Sequence, residues 1–543
     1  MKASWLVAVI ATLFATTGFA STQFEQGVVK KSAIPGEFIL KFSTNQKVSS
    51  MSQFAASIGE PAIVFNSLAL NNHARVIMSA KVGSGFSTHV LINSKKMGAF
   101  MWGKLSKHGK LLDMQPNYKY EGEFREGLQA PNDPDIGEQY FHTNMGNSQA
   151  WPLLNLQNKI IVAVTDDGID LDHEDLKDSI YTNPNEIPGN GIDDDHNGYI
   201  DDVNGWDFAS DDNDPRPTSG SHGTHVAGII GASIDNGVGV AGTAAPIVEL
   251  MPIRFYGGNF TSAMVAEAYR YAADNGAHIV STSYNIDFFV GDKIFEEAIA
   301  YVYNKGLIHF NSAGNGYRPD PARKAFEELI LVCSTNQDDA KSDFSNYGEG
   351  VEICAPGGDI LSTLPDDGYG TMSGTSMATP NAAAAAAVLW SQHPKWTRDQ
   401  VVAQLLGTAD NVDSVNPNYI EQMGMGRVNT FRSIQEDLPA PAVKSIVESD
   451  QGAVTLVNGE LRVKFTHRLD PKTVNQDKFI LSGPSGSVKM KLAKPYKMGS
   501  DFVTLQVGSL SVGDYTLTVD SSIRDPFGQS LQGDKQVAFI IQQ

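Results

Sequence analysis

Three residues of types that are common in enzyme active sites stand at the edges of apolar or helical segments of this 543-residue chain. Asp166 follows the apolar run of VAVTDDGID, His222 opens SHGTHVAG, and Ser376 lies within SGTSMATP. A serine hydroxyl is a weak nucleophile unless a neighbouring base takes its proton, and a third group must orient that base. An aspartate, a histidine and a serine together therefore predict acyl transfer through an activated serine.

Each stretch has a plainer interpretation when it is considered alone. Serine often caps a helix N-terminus, so Ser376 suits the start of the alanine-rich segment that follows it. Asp166 and Asp167 suit a turn that ends a strand. His222 and His225 share a helix face, where a metal pair is the alternative, but no H-E-x-x-H pattern or nearby cysteine supports zinc. The chain order aspartate, histidine, serine favours the acyl-transfer interpretation.

The elements that must position these residues alternate between strands and helices from Ile136 to about Asp437. Near-continuous apolar strands separated by helices predict a parallel sheet covered on both faces. Such α/β folds bind ligands at the carboxyl ends of their strands. The predicted strands are KIIVAVTDDG, IVELMPIRF, AHIVSTSYN, LIHFNSAGN and LILVCST, and the predicted helices are HGTHVAGIIGASI, TSAMVAEAYRYAADNG, IFEEAIAYVYNKG and ATPNAAAAAAVLWSQ.

The three motifs resemble the active-site motifs of the subtilisin-like serine peptidases, or subtilases, nearly word for word. The resemblance covers about residues 131–437 and implies a parallel-sheet subtilisin-like domain that hydrolyses peptide bonds. It implies that Asp166 orients the imidazole, that His222 is the general base and that Ser376 attacks the scissile carbonyl. Because the family's motif places the base first, His225 becomes a structural helix residue.

One residue departs from the family pattern, which usually has serine or threonine where this chain has Asp167. A second carboxylate beside Asp166 could raise the pKa of its neighbour by like-charge repulsion. Because side chains alternate along a strand, we expect Asp167 to point away from Asp166 and activity to survive.

The segment HFNSAGNGY resembles the one that supplies the oxyanion-hole asparagine of subtilases, which is here Asn315. A side-chain amide aimed at the tetrahedral oxyanion accelerates acyl transfer strongly. The backbone N–H of Ser376, at a helix start, is the expected second donor. The alternative for Asn315 is a Gly-Asn-Gly turn.

The segment STSYNID resembles the strand that pairs with an extended substrate, with Ser283, Tyr284 and Asn285 where the family usually has Ser-Leu-Gly. The missing glycine predicts a narrowed or reshaped S1 pocket, the pocket for the residue that supplies the scissile carbonyl (P1). Its opposite wall is expected near Leu331 and Cys333.

The acidic loop DDDHNGYIDDVN has the sixth-position glycine that a calcium loop needs for its turn. It departs from an EF-hand, since Asn204 stands at position twelve and no helix pair flanks it, and a solvated acidic turn is the alternative. Similar loops bind Ca²⁺ in many subtilases. The predicted ligands are Asp193, Asp195, Asn197, the Tyr199 carbonyl and Asp201, with Asp202 as an additional candidate.

The flanking segments predict an exported protein of several domains. Residues 1–20 have the layout of a secretory signal peptide, and no later segment reaches about 18 apolar residues, so no transmembrane segment is expected in the mature chain. Residues 21–128 resemble the subtilase prodomain, an intramolecular inhibitor that self-cleavage removes. The peptidase domain is predicted over 129–437, and 438–543 resemble a bacterial Ig-like β-sandwich.

The formal charge of −21 argues against a nucleic-acid partner, which would need a basic face. The two cysteines, Cys333 and Cys354, either pair or remain buried thiols. The sequence thus predicts a secreted or periplasmic, calcium-dependent serine endopeptidase acting on polypeptides. A catalytically silent calcium-binding scaffold is the alternative, and a lipase is disfavoured because no G-x-S-x-G elbow surrounds Ser376.

Overall fold

The computed structural model describes residues 30–44, 74–82, 85–93, 111–121, 131–256, 261–446, 449–450, 453–454, 456, 458–497, 500, 502–533 and 535–542. The chain divides into two compact units, Met1–Arg125 and Glu126–Gln543. The predicted signal peptide lies outside the described residues. No helix among the described residues is both long enough and apolar enough to cross a membrane.

The first unit contains a four-stranded antiparallel sheet in the order β2-β3-β1-β4. The apolar segment GEFILKF lies within β1. Leu40 pairs with Val90 across β1 and β3, and both side chains are buried. The strands are β1 (Lys30–Thr44), β2 (Ala74–Val82), β3 (Gly85–Asn93) and β4 (Leu111–Glu121).

The second unit is built on a seven-stranded sheet in the order β11-β10-β9-β8-β5-β7-β6, with every neighbouring pair parallel. The predicted parallel sheet is confirmed, and β5 lies inside it between β7 and β8. The strands are β5 (Ile160–Asp166), β6 (Trp206–Asp207), β7 (Val248–Arg254), β8 (Ile279–Thr282), β9 (Ile308–Ser312), β10 (Ile330–Thr335) and β11 (Val351–Pro356).

Helices cover both faces of this sheet because successive side chains of its buried strands point to opposite sides. Val162 and Val164 belong to one apolar core with α3 and α6, whereas Ala163 belongs to a second core with α4 and α5. The helices are α1 (Phe141–Asn144), α2 (Asn147–Ala150), α3 (His222–Gly231), α4 (Ser262–Asp274), α5 (Lys293–Asn304), α6 (Thr375–Gln392), α7 (Arg398–Gly407) and α8 (Thr430–Gln435).

The alanine run of α6 explains how this helix can lie in the interior. Residues 382–387 are six consecutive alanines, all fully buried, and side chains this small let the sheet and neighbouring helices approach the helix backbone. Beside this core, β12 (Ile360–Leu364) and β13 (Gly368–Met372) form an antiparallel hairpin. Cys333 of β10 and Cys354 of β11 occupy paired register positions and form a disulfide.

The C-terminal region consists of two sheets that share one apolar core, as predicted for an all-β region. The first sheet contains β14 (Val443–Ile446), β17 (Glu460–Phe465), β20 (Lys491–Leu492) and β21 (Phe502–Gln506). The second contains β15 (Ser449–Asp450), β16 (Ala453–Val454), β18 (Phe479–Gly483), β19 (Gly486–Val488), β22 (Gly513–Val519) and β23 (Gln536–Ile541).

Ion pairs join this β-region to the α/β domain. Basic side chains of the β-region contact acidic side chains near β10 and β11, and the Trp396 and Phe527 rings meet edge to face at 4.9 Å. The pairs are Arg462–Glu349, Arg468–Glu352, Lys494–Glu327, Lys497–Glu328 and Lys444–Glu421.

Candidate active site

The carboxyl end of β5 brings Asp166 against the first residue of α3. Both oxygens of the buried Asp166 carboxylate lie close to Nδ1 of His222, at 2.8 and 2.9 Å. A proton on Nδ1 donates to this carboxylate, which leaves Nε2 as the proton acceptor of the neutral ring. The His222 side chain is 34% exposed, so Nε2 can face a substrate.

Asp167 caps the helix that carries His222. Its carboxylate accepts hydrogen bonds from the backbone N–H groups of His222 (3.2 Å) and Gly223 (2.7 Å). Ser221, which precedes the helix, makes no capping bond with its side chain. A carboxylate at this position satisfies orphan amides and complements the positive end of the helix dipole.

Asp167 is expected to point away from Asp166 on the basis of strand alternation, but that basis does not hold here. Strand β5 ends at Asp166 and Gly168 turns the chain with a φ of +114°, so strand alternation no longer applies. Both carboxylates therefore contact His222, Asp166 through the ring and Asp167 through the backbone. Burial and the charge of Asp166 together raise the pKa of Asp167.

Close packing also explains the glycine after His222. A Cβ atom on Gly223 would lie 2.3 Å from the carbonyl oxygen of Gly168 and 3.0 Å from Cβ of Asp166. Because those positions are closer than van der Waals contact, only glycine lets α3 approach the end of β5 this closely.

The two histidines of α3 differ in their electrostatic surroundings. Burial opposes protonation of His222, but the charge and hydrogen bond of Asp166 and the charge of Asp167 outweigh it and raise its pKa to about 9. His225 is fully buried, and burial lowers its pKa to about 4. Its Nε2 lies 3.0 Å from the carbonyl oxygens of both Ile360 and Gly370, so a neutral ring donates to the β12–β13 hairpin.

Ser376 is the second residue of α6, where its backbone N–H has no partner within the helix. Its hydroxyl donates to the carbonyl oxygen of Ser283 at 2.9 Å, and the Ser283 hydroxyl donates in return to the Ser376 carbonyl at 2.8 Å. The two serines thus connect the start of α6 with the segment that follows β8.

The amide of Asn315 is oriented by Thr375. Its Oδ1 accepts hydrogen bonds from the backbone N–H (2.9 Å) and the hydroxyl (2.8 Å) of Thr375, which directs Nδ2 to the other side. A Cβ on Gly374 would lie 3.3 Å from Asn315 Nδ2 and 3.5 Å from the Ser376 nitrogen. Both nitrogens therefore border the space next to Gly374, where an oxyanion could accept from them.

The side chains of Tyr284 and Asn285 are both engaged within the protein. The Tyr284 hydroxyl lies 2.7 Å from that of Tyr269. Asn285 Oδ1 accepts from Arg323 at 2.5 Å and from the backbone N–H of Asp287 at 2.8 Å. The residues predicted for the opposite wall are buried in β10, Leu331 in the core and Cys333 in the disulfide.

The acidic loop brings together two of the predicted ligands and one residue that sequence reasoning missed. Carboxylate oxygens of Glu186, Asp193 and Asp195 lie within 4.8 Å of one another. Glu186 is buried, and its Oε2 atom has no hydrogen-bond partner, which fits an oxygen ligand of a hard cation. Gly198 has the positive φ (+100°) expected at the sixth loop position.

Of the other predicted ligands, the side chains of Asp201, Asp202 and Asn197 have partners within the protein. Asp201 accepts from the backbone N–H groups of Asn190 and Gly191, and Asp202 accepts from the Tyr271 hydroxyl at 2.5 Å. Asn197 Oδ1 accepts from the Tyr199 N–H, and Asn197 Nδ2 donates to Asp195, Asp202 and Asn275. The Tyr199 ring packs on Trp206, Phe208 and Tyr271.

The α/β part of this chain is similar in sequence to known proteins. Residues 157–426 match the peptidase S8 family, described as the subtilase family. The chain is 35% identical over 310 residues to thermitase of Thermoactinomyces vulgaris, which covers 56% of this chain and 99% of thermitase. It is 32% identical over 324 residues to the thermophilic serine proteinase of Bacillus sp. (strain AK1), covering 59% and 72%.

A third relative is the halolysin-like extracellular serine protease of Natrialba magadii, 30% identical over 334 residues, with 61% of this chain and 58% of that protein covered. The seven-stranded parallel sheet with its covering helices is that of a subtilisin-like peptidase domain. The chain belongs to the subtilase family, and it is a serine endopeptidase.

Proposed function

We propose that this endopeptidase cleaves polypeptides with Ser376 as nucleophile, His222 as general base and Asp166 as the group that orients the base. The observation that carries this assignment is the approach of both Asp166 oxygens to His222 Nδ1, at 2.8 and 2.9 Å. It leaves Nε2 as the only ring nitrogen that can take the proton of a nucleophile.

The proposed reaction has two halves. Ser376 Oγ bonds to the scissile carbonyl carbon while its proton passes to His222 Nε2, and the oxyanion is held by Asn315 Nδ2 and the Ser376 N–H. The protonated imidazole then donates to the leaving amine, the C–N bond breaks and an acyl-enzyme remains. In the second half, water gives a proton to His222 while its oxygen bonds to the acyl carbon. The bond from this carbon to Ser376 Oγ then breaks, His222 returns the proton to Oγ, and the acid is released.

Substrate binding supplies a trigger for the first step. The Ser376 hydroxyl must turn from the Ser283 carbonyl towards His222 before it can transfer its proton. An extended substrate that donates a backbone N–H to the Ser283 carbonyl would replace the hydroxyl there. Strand pairing with Ser283–Asn285 and activation of the nucleophile would then occur together.

We further propose that Ca²⁺ is held by Glu186, Asp193 and Asp195, where it would stabilise the loop rather than take part in bond cleavage. The unpartnered Oε2 of Glu186 supports this ligand set. In the Ser376→Ala background, millimolar Ca²⁺ should raise the melting temperature and a chelator should reverse the effect. Glu186→Gln should weaken this response and Asp201→Asn should leave it unchanged; equal responses in both variants would argue against the site.

Export and activation complete the proposal. Residues 1–20 would direct secretion or periplasmic delivery, which agrees with a relative named as extracellular. Residues 21–128 would act as the intramolecular inhibitor, and their removal would release the active enzyme. The Ig-like assignment of residues 438–543 rests on sequence resemblance.

The decisive experiment is the intact mass of residues 21–543 produced with calcium, compared between wild type and Ser376→Ala. We expect only the wild type to lose the segment that ends near Ala130 and to be labelled at Ser376 by a fluorophosphonate. Processing in both proteins would exclude self-cleavage. Absence of both processing and label in the wild type would favour the catalytically silent scaffold.

A further inference from the structure

Arg323 is a buried cation close to the candidate active site. It has the largest side chain among the fully buried residues of the described chain, at 1% exposure. A guanidinium stays charged in proteins, so its burial is costly unless its N–H groups find acceptors. The positions of these acceptors therefore indicate the role of Arg323.

The acceptors of Arg323 come from two segments of chain. One segment follows β8 and the other forms the end of β9, so the guanidinium bridges the gap between them. Each guanidinium nitrogen has an acceptor, which leaves no donor for an outside anion. The acceptors are Asp287 Oδ1 (2.8 Å), Asp287 Oδ2 (3.1 Å), Asn285 Oδ1 (2.5 Å), the Tyr284 carbonyl (3.4 Å), the Ser312 carbonyl (2.5 Å) and Asn311 Oδ1 (3.1 Å).

The same gap is where the P1 side chain of a substrate must enter. The scissile carbonyl has to contact Ser376 Oγ, which lies 2.9 Å from the Ser283 carbonyl, with its oxygen towards Asn315. The P1 side chain then enters between the Ser283–Asn285 segment and Gly314. A Cβ on Gly314 would lie 2.5 Å from Nδ2 of Asn346 and 3.4 Å from Nη2 of Arg323, so the Asn346 amide and the Arg323 guanidinium both lie next to Gly314 on this side of the gap.

We propose that Arg323, covered by Asn285, fills the S1 pocket and restricts cleavage to peptides with small P1 residues such as glycine, alanine or serine. This inference rests on the proposed roles of Ser376 and Asn315. Because the acceptors of Arg323 lie within the protein, the arginine blocks the pocket and does not attract acidic side chains. Asp287, which also accepts the backbone N–H of Arg323 at 3.0 Å, keeps the arginine in place.

The segment that carries Arg323 is also held from outside. Lys324 contacts Glu349, and Glu327 and Glu328 pair with lysines of the C-terminal β-region. Because these contacts hold the segment that carries Arg323, it has little freedom to move aside for a large P1 side chain.

The test is a series of peptide substrates that differ only at P1, carrying alanine, leucine, phenylalanine or glutamate. For the processed wild type, kcat/KM with alanine should exceed that with phenylalanine by at least about tenfold, the scale set by a few methylenes in a pocket. Arg323→Ala should raise the phenylalanine-to-alanine ratio by at least about tenfold. The matched control Arg270→Ala, at an exposed arginine of α4, should leave it unchanged.

Several outcomes would overturn the inference. A wild type that cleaves well after phenylalanine has an open pocket, and one that prefers glutamate has an accessible guanidinium. An unchanged ratio in an active Arg323→Ala enzyme would also exclude the block. If that variant does not fold, the P1 profile of the wild type on a peptide library still decides. Failure of the proposed function differs from all of these, since a wild type unlabelled at Ser376 would cleave none of the substrates.

Discussion

The two sides of the candidate active site both place a buried charge at the carboxyl ends of neighbouring strands, with opposite results. Asp166 and Asp167 surround a histidine that remains one third exposed, and their charges raise its pKa. Arg323 is 1% exposed, and its N–H groups already donate to fixed acceptors within the protein. A buried charge can therefore assist proton transfer when its partner is a titratable side chain that a substrate can contact. When its partners are fixed oxygen atoms, the buried charge instead determines the shape of the site.

The largest effect is expected from neutralising the carboxylate side. Asp166→Asn should lower kcat by about 10⁴-fold because the amide favours the wrong imidazole tautomer. The measurement is steady-state hydrolysis of an alanine-P1 peptide. Asp172→Asn, at an exposed aspartate, is the control. A loss below about tenfold would mean that Asp166 does not orient His222.

A smaller effect is expected on the oxyanion side. Asn315→Leu should lower kcat by about 10²- to 10³-fold with little change in KM, because the lost donor acts on the oxyanion and not on the bound peptide. Since Asn315 Oδ1 also accepts from Thr375, melting temperatures should be compared as well. A KM effect without a kcat effect would move Asn315 from transition-state stabilisation to substrate binding.

The pH profile of the reaction reports how Asp166 and Asp167 shift the pKa of His222. The general base must be neutral, so kcat/KM should rise with pH, reach half its maximum near the His222 pKa of about 9 and level off above that pH. Asp167→Asn removes one of the charges that raise this pKa, and the rising limb should move to lower pH. Asp172→Asn serves as the control. An unmoved limb in Asp167→Asn would show that Asp166 alone sets the pKa.

The smallest expected effect concerns the helix cap. In the Ser376→Ala background, Asp167→Ala should lower the free energy of unfolding by about 1 kcal/mol, because two N–H groups of α3 lose their acceptor while the cost of burying a carboxylate disappears. Ser221→Ala should change it by less than about 0.5 kcal/mol, since that side chain makes no capping bond. Urea unfolding measures both, and a larger loss for Ser221→Ala would contradict the assignment.

The parallel sheet and its main helices could be predicted because apolar periodicity is a local property of the sequence. The triad candidates could be predicted because each lies in a short motif at the end of a strand or the start of a helix. Contacts formed over long distances in sequence could not. Thr375 orients Asn315 across sixty positions, and nothing in PARKAFEE indicates that Arg323 is buried.

Two other differences have local causes. Glu186 lies outside the twelve-residue acidic loop, so the loop pattern could not include it as a ligand. The orientation of Asp167 followed from strand alternation, which ends with the strand at Asp166. Sequence patterns thus pointed to candidate residues, and the fold shows which other groups lie beside them.

The two edges of the seven-stranded sheet have a consequence for association with other chains. At one edge, the N–H and carbonyl of Asp207 in β6 both bond to Asp212. At the other edge, β11 bonds through Glu352 and Cys354 to residues 425–428. A free sheet edge is a template for aggregation. With both edges of this sheet covered by the chain itself, self-association by strand addition is disfavoured even at high protein concentration.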